Sequence, residues 1–157
     1  MKKQLTINYE WLNHWSELPE SEHILIKKAQ EAVKEAYAPY SHFKVGAVVL
    51  LEDGTIIKGN NQENIAYPSG LCAERVALFY ANANYPESTV KTILVLADGE
   101  LIAPDECVSP CGSCRQVIAE SEARQSTDIR IILVSQDGKT WIFNSIKDIL
   151  VFPFGVK

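Results

Sequence analysis

The chain has 157 residues, 46% hydrophobic and 22% charged, with a formal net charge of −5 and four cysteines. That length and composition suit one globular domain with its own core. The acidic balance, with no basic cluster beyond Lys27-Lys28, lacks the electrostatic footprint of a nucleic-acid binder.

The opening residues, MKKQLTINYEWLNHW, read as neither a secretory leader nor a membrane span. Cysteines in such a chain favour thiols or metal ligands over a disulfide framework, and a cytoplasmic location is the expectation. Residues 1–20 form a polar, aromatic-rich extension, expected to pack on the domain or on a neighbouring subunit. Trp11 and Trp15, four apart, would share one face if that extension were helical. From Ser21 onward Ile24, Ala29, Ala32, Val33 and Ala36 recur at helical spacing, and Ala38-Pro39 should stop the helix.

Phe43 to Leu51 is β-rich and almost wholly apolar, as a strand covered on both faces would be. Asp53-Gly54 then turns into Thr55–Gly59. Residues 72–83 read as a helix, Val90–Ala97 as a buried strand, Cys111–Ala123 as a helix and Ile129–Ser135 as a third β-rich run. Asp137-Gly138 turns into Lys139–Phe143, and a short helix is expected near Ser145–Leu150. Strands alternating with helices predict a single α/β domain over residues 21–157, layered around a mixed sheet.

The chemistry concentrates in "SPCGSCRQV" (109–117). Alone, Cys111 and Cys114 are ambiguous among a redox pair, half of a zinc site and coincidence. Three apart at a helix start, they face one side, near N–H groups that favour the thiolate. Cys72, in "SGLCAERVALF", also stands where a helix begins. Three thiols leave a fourth position for water, the mark of a catalytic rather than a structural zinc. Glu74, two residues after Cys72, is placed to reach such a water without being a ligand.

Cys-x-Glu followed by Pro-Cys-x-x-Cys resembles the zinc nucleoside and nucleobase deaminases in their three-cysteine form. "YAPYSHFKVGA" (37–47), "NQENIAYPSGLCAERVALF" (61–79) and "SPCGSCRQV" resemble cytidine deaminases in particular, from about residue 22 to the C-terminus. The resemblance implies a three-layer α/β/α fold with a central mixed five-stranded sheet. It implies one Zn²⁺ per chain on Cys72, Cys111 and Cys114, with Glu74 as the catalytic proton carrier. Asn61 and Glu63 match residues that grip ribose hydroxyls, and Phe43 matches an aromatic that packs on the pyrimidine. The Ala73 N–H would read the base carbonyl. Tyr67 would line a neighbouring subunit's pocket in a homotetramer with shared sites. Arg75 would hydrogen-bond ligand sulfurs and offset the site's −1 charge. The tail "ILVFPF" departs from the family's pattern, with Phe154 aligned as the residue reaching the next subunit and Phe152 as its substitute.

Taken singly, Glu63 would be a solvated loop residue and Phe43 a core residue; their matched surroundings give them pocket roles. Cys107 fits no motif position. The activity implied is hydrolytic deamination of cytidine and 2′-deoxycytidine, with a small-molecule nucleoside and neither nucleic acid nor membrane as partner. The rivals are a deaminase of another aminopyrimidine or a nucleoside antibiotic, a polynucleotide deaminase, and a non-catalytic zinc-stabilised interaction module. The last would have no use for Glu74.

Overall fold

The computed structural model describes residues 1–155. Its strands are β1 (Glu10–Leu12), β2 (Lys44–Leu51), β3 (Ile56–Asn60), β4 (Val90–Asp98), β5 (Arg130–Val134) and β6 (Thr140–Phe143). The helices are α1 (His23–Lys34), α2 (Ala73–Asn84) and α3 (Gly112–Ala123). The strands form one mixed sheet in the order β1-β6-β5-β4-β2-β3. Among the described strands only β4 and β5 pair in parallel, and α3 provides the crossover that such a pair requires.

Period-two alternation sorts the apolar strand residues onto two faces. Val48, Leu94, Ile132 and Ile142 pack beneath Leu25, Ile26, Ala29 and Val33 of α1. Ala47, Val49, Ile93, Val95, Ile131 and Leu133 face Ala77, Leu78 and Ala81 of α2 and Ile118 of α3. The sheet is thus a central layer with helices on both sides, as expected for the class. Each fully buried Leu or Ile contributes about 1.5–3 kcal/mol relative to exposure, so the two layers hold the sheet strongly.

The sheet has six strands where five were expected. The extra one comes from the N-terminal extension: β1 pairs antiparallel with β6, Trp11 opposite Trp141, and covers an edge that would otherwise present unpaired N–H and C=O groups. Trp11 and Trp15 accordingly share no helix. Trp11 lies in β1, while Trp15 begins a single 3₁₀ turn and stacks edge-on against His23 at 5.6 Å.

Helix α1 stops at Lys34, four residues short of Ala38. Tyr37 is drawn away into a bridge with Gln62, donating its N–H to Asn61 O at 3.0 Å and accepting from Glu63 N–H at 2.9 Å. Ala38, before proline, is disfavoured in the α region as well. The helix expected near Ser145–Leu150 is a 3₁₀ turn, Ile146–Asp148, capped by the Ser145 hydroxyl.

One contact sets the site's depth. A Cβ on Gly59 of β3 would lie 2.5 Å from Ala73 O and 2.6 Å from Ala77 N, so only glycine lets the first turn of α2 settle against the sheet.

Candidate active site

Two helix starts converge. Cys72 is the N-cap of α2 and Cys111 the N-cap of α3, both in extended backbone and neither spending its side chain on a capping bond. Cys114 is buried in the first turn of α3. Their three sulfurs lie within 4.8 Å of one another, with Cys72–Cys111 at 3.9 Å and Cys111–Cys114 at 3.4 Å. Tetrahedral zinc, with bonds of about 2.3 Å, spaces its sulfur ligands about 3.8 Å apart, so this donor set fits one Zn²⁺. The helix N-termini add positive potential that favours thiolates. Cys72 is pulled down to about 5, chiefly by hydrogen bonding with the Cys114 thiol and then with Arg75, against partial burial. Cys114, on the other side of that interaction, is driven up.

Glu74 lies on the first turn of α2, only 4% exposed, and its side chain lines the pocket in front of the sulfurs. Burial raises its carboxyl above the ordinary value, with the charge on Cys72 adding to the effect. Arg75 donates from Nη2 to Cys72 Sγ at 3.6 Å, while its buried Nε has no partner among the described residues.

The pocket encloses about 680 Å³. Phe43, Tyr40, Val45, Tyr67 and Leu101 give it apolar walls, and Asn61, Glu63, Glu74 and Cys72 its polar ones. Asn61 holds the start of β2 from both sides: its Oδ1 accepts from Val45 N–H and its Nδ2 donates to Phe43 O, each at 2.8 Å. Glu63 reaches across to the Tyr40–Ser41 turn, accepting from the Ser41 hydroxyl, from Tyr40 N–H at 2.9 Å and from Ser41 N–H at 3.3 Å. Desolvation works to raise the Glu63 pKa, and it is outweighed by the Ser41 and Tyr40 hydrogen bonds, so the carboxyl sits below its ordinary value. Ala73 is fully buried, and its N–H belongs to the first helical turn, where no intrahelical acceptor exists.

Tyr67 is 75% exposed and meets Tyr40 edge-on at 5.9 Å. Phe154 is 88% exposed and lies away from its own chain's pocket. Its backbone N–H and C=O are both bonded to the Gln116 amide at 2.9 Å. Cys107 stands outside the sulfur cluster, and burial pushes its thiol up to about 11.

Sequence reasoning missed Ser41, Leu101 and Val108 in the pocket wall. It also missed Arg115, whose guanidinium donates to Pro110 O and Ile149 O at 2.8 Å and to the Ser109 hydroxyl at 2.6 Å. That residue fastens the start of α3 to the tail. Its only signal was its place immediately after Cys114.

The family model for the cytidine and deoxycytidylate deaminase zinc-binding region matches residues 19–127. A cytidine deaminase of Sporosarcina psychrophila is 52% identical over 96 residues, 61% of this chain and 66% of that protein, just under two thirds of its length. One of Halalkalibacterium halodurans is 47% identical over 62% of this chain and 69% of that protein. The crystal structure of cytidine deaminase from Burkholderia pseudomallei is similar over 84% of this chain and 98% of that one, with a TM-score of 0.73 and 36% identity.

Proposed function

Because the chain belongs to the cytidine and deoxycytidylate deaminase family, we propose that it hydrolyses the amine-bearing C–N bond of cytidine and 2′-deoxycytidine. The products are uridine or 2′-deoxyuridine and ammonia. The observation that carries this reading is Glu74, a buried carboxyl lining the same pocket as Cys72 and Cys111. An interaction module built on zinc would need the thiols alone.

Cys72, Cys111 and Cys114 would hold the zinc, which when bound would supply the Lewis acidity that makes a water easier to deprotonate. Glu74 takes one proton from the water and hands it to the ring nitrogen beside the carbon under attack, then takes the second from the newly formed hydroxyl and gives it to the amine, which leaves as ammonia while the carbonyl forms. A raised pKa suits a carboxyl that must both accept and return a proton. Arg75 withdraws charge from the Cys72 sulfur and so supports the metal's acidity. Phe43 stacks on the pyrimidine and the Ala73 N–H donates to the base carbonyl. Asn61 and Glu63 take the ribose hydroxyls with the hydrogen-bonding capacity their contacts to the Tyr40–Val45 segment leave over.

Residues 21–157 form the catalytic domain, and residues 1–20 an extension packed on it, as the pairing of β1 with β6 supports, or on a neighbouring subunit. The enzyme is a cytoplasmic homotetramer in which Phe154 serves a neighbouring subunit's pocket, while Tyr67, expected to serve a neighbour, lines the pocket of its own chain and is exposed enough for a neighbour to meet it as well. Phe152 and Phe154, two residues apart in the tail and 92% and 88% exposed, form an apolar pair that an assembly would cover, which supports this reading.

A substrate panel tests the activity. Cytidine and deoxycytidine should lose their absorbance band while cytosine and a single-stranded oligonucleotide do not. Turnover of a modified aminopyrimidine nucleoside alone would contradict the assignment.

A further inference from the structure

We infer that Gln136, in the turn between β5 and β6, is a positioning residue for the substrate pocket although it does not line it. The inference rests on the pocket assignment of Phe43 made above. Gln136 pairs with both backbone groups of Gly99: Gly99 N–H donates to its Oε1 at 3.2 Å, and its Nε2 donates to Gly99 O at 2.9 Å. The bond pattern is that of one more rung on the sheet, supplied by a side chain just beyond the paired ends of β4 and β5.

Gly99 is in turn the surface against which Phe43 rests. Its φ of +148° is one that side-chain-bearing residues rarely adopt, and a Cβ there would stand 2.7 Å from His42 O, 2.9 Å from Phe43 Cα and 3.0 Å from the ring's Cδ2. His42, immediately before Phe43, itself has a φ of +54°. A left-handed residue other than glycine is costly and persists only where neighbours hold it in place. The backbone of Phe43 is held by the Ser41 hydroxyl at its N–H, 3.1 Å, and by Asn61 at its carbonyl, 2.8 Å. Its remaining side is closed by Gly99. Gln136 thus fixes the floor under the aromatic ring that takes the base.

The same turn secures the segment after Gly99 at two further points: Asp137 N–H donates to Pro104 O at 3.0 Å, and Lys139 pairs with Asp105 at 3.1 Å. Leu101, on that segment, lines the pocket. Of these contacts the Gln136 pair lies nearest the ring, whereas Lys139–Asp105 is a surface ion pair of small worth.

The test compares Gln136→Ala, Lys139→Ala, Phe43→Ala and the Gln136→Ala/Phe43→Ala double variant. Gln136→Ala should raise KM for cytidine about tenfold with kcat nearly unchanged and zinc content intact, the signature of lost binding rather than lost chemistry. In the Phe43→Ala background the same change should add almost nothing, because the two act through one contact. Amide exchange at residues 42–44 and 99–102 should quicken in Gln136→Ala and not in Lys139→Ala. An unchanged KM and exchange pattern, or a KM effect fully additive with Phe43→Ala, would overturn the inference. Should the unaltered protein leave cytidine intact, the proposed function fails, and the exchange pattern still decides whether Gln136 holds Phe43.

Discussion

Arg75 Nη2 lies 3.6 Å from the sulfur of Cys72, three residues earlier on the same helix start. One side chain thereby touches a thiol that is pulled down to about 5. Three thiolates on a divalent ion leave a net negative centre, which the guanidinium offsets together with the two helix N-termini. Arg75→Ala is expected to retain the fold and the zinc and to lower turnover about 10–100-fold. Steady-state kinetics alongside metal analysis checks this, and unchanged turnover at full zinc content would remove Arg75 from the account.

Cys107 provides the converse case. It lies outside the sulfur cluster, and its half-buried thiol is pushed up to about 11, so it stays protonated near neutrality. Cys107→Ser should keep both zinc and activity. Loss of metal from that variant would mean a four-thiolate, closed and structural centre.

The seating of α2 against β3 depends on Gly59, where an added methyl would meet Ala73 O at 2.5 Å. Gly59→Ala should cost about 1–3 kcal/mol of stability, as overpacking does. It should also weaken zinc retention, because the displaced turn carries Cys72 and Glu74. Denaturant unfolding and chelator competition read the two effects separately. A destabilised variant with undiminished zinc affinity would show that the turn moves as a unit.

Asp137 gives a pH signature in the turn that carries Gln136. The Ser135 hydroxyl, then the Lys139 backbone N–H and ammonium, hold its carboxyl below the ordinary value against slight desolvation. A depressed folded pKa stabilises above the unfolded value, about 3.9, and that contribution disappears as pH falls through the folded one. Asp137→Asn should therefore lower the melting temperature at pH 7 and make little difference in strong acid. An equal loss at both pH values would point to the amide's shape rather than to charge.

The thiols and Glu74 were legible because their chemistry requires short, fixed spacings that survive in the linear sequence. The layered fold was legible for a similar reason: β2, β4 and β5 are continuous apolar runs covered on both faces. Strand β1 was not, because three residues within a polar extension carry no period, and its pairing depends on an edge formed more than a hundred residues later. The early end of α1 was hidden for the same cause, since Tyr37 leaves the helix for partners at Asn61 and Glu63. Gln136 sits in no motif, and its partner Gly99 is 37 residues away. Long-range clamps of this kind become visible only once the strands are set side by side.

The most direct test of the central claim pairs zinc content with cytidine turnover in the unaltered protein and in Glu74→Gln. About one zinc per chain is expected in both, with turnover in the first and almost none in the second, because the substitution removes the proton carrier and leaves the three thiols in place. Equal turnover in the two, or a chain that binds no zinc, would contradict it.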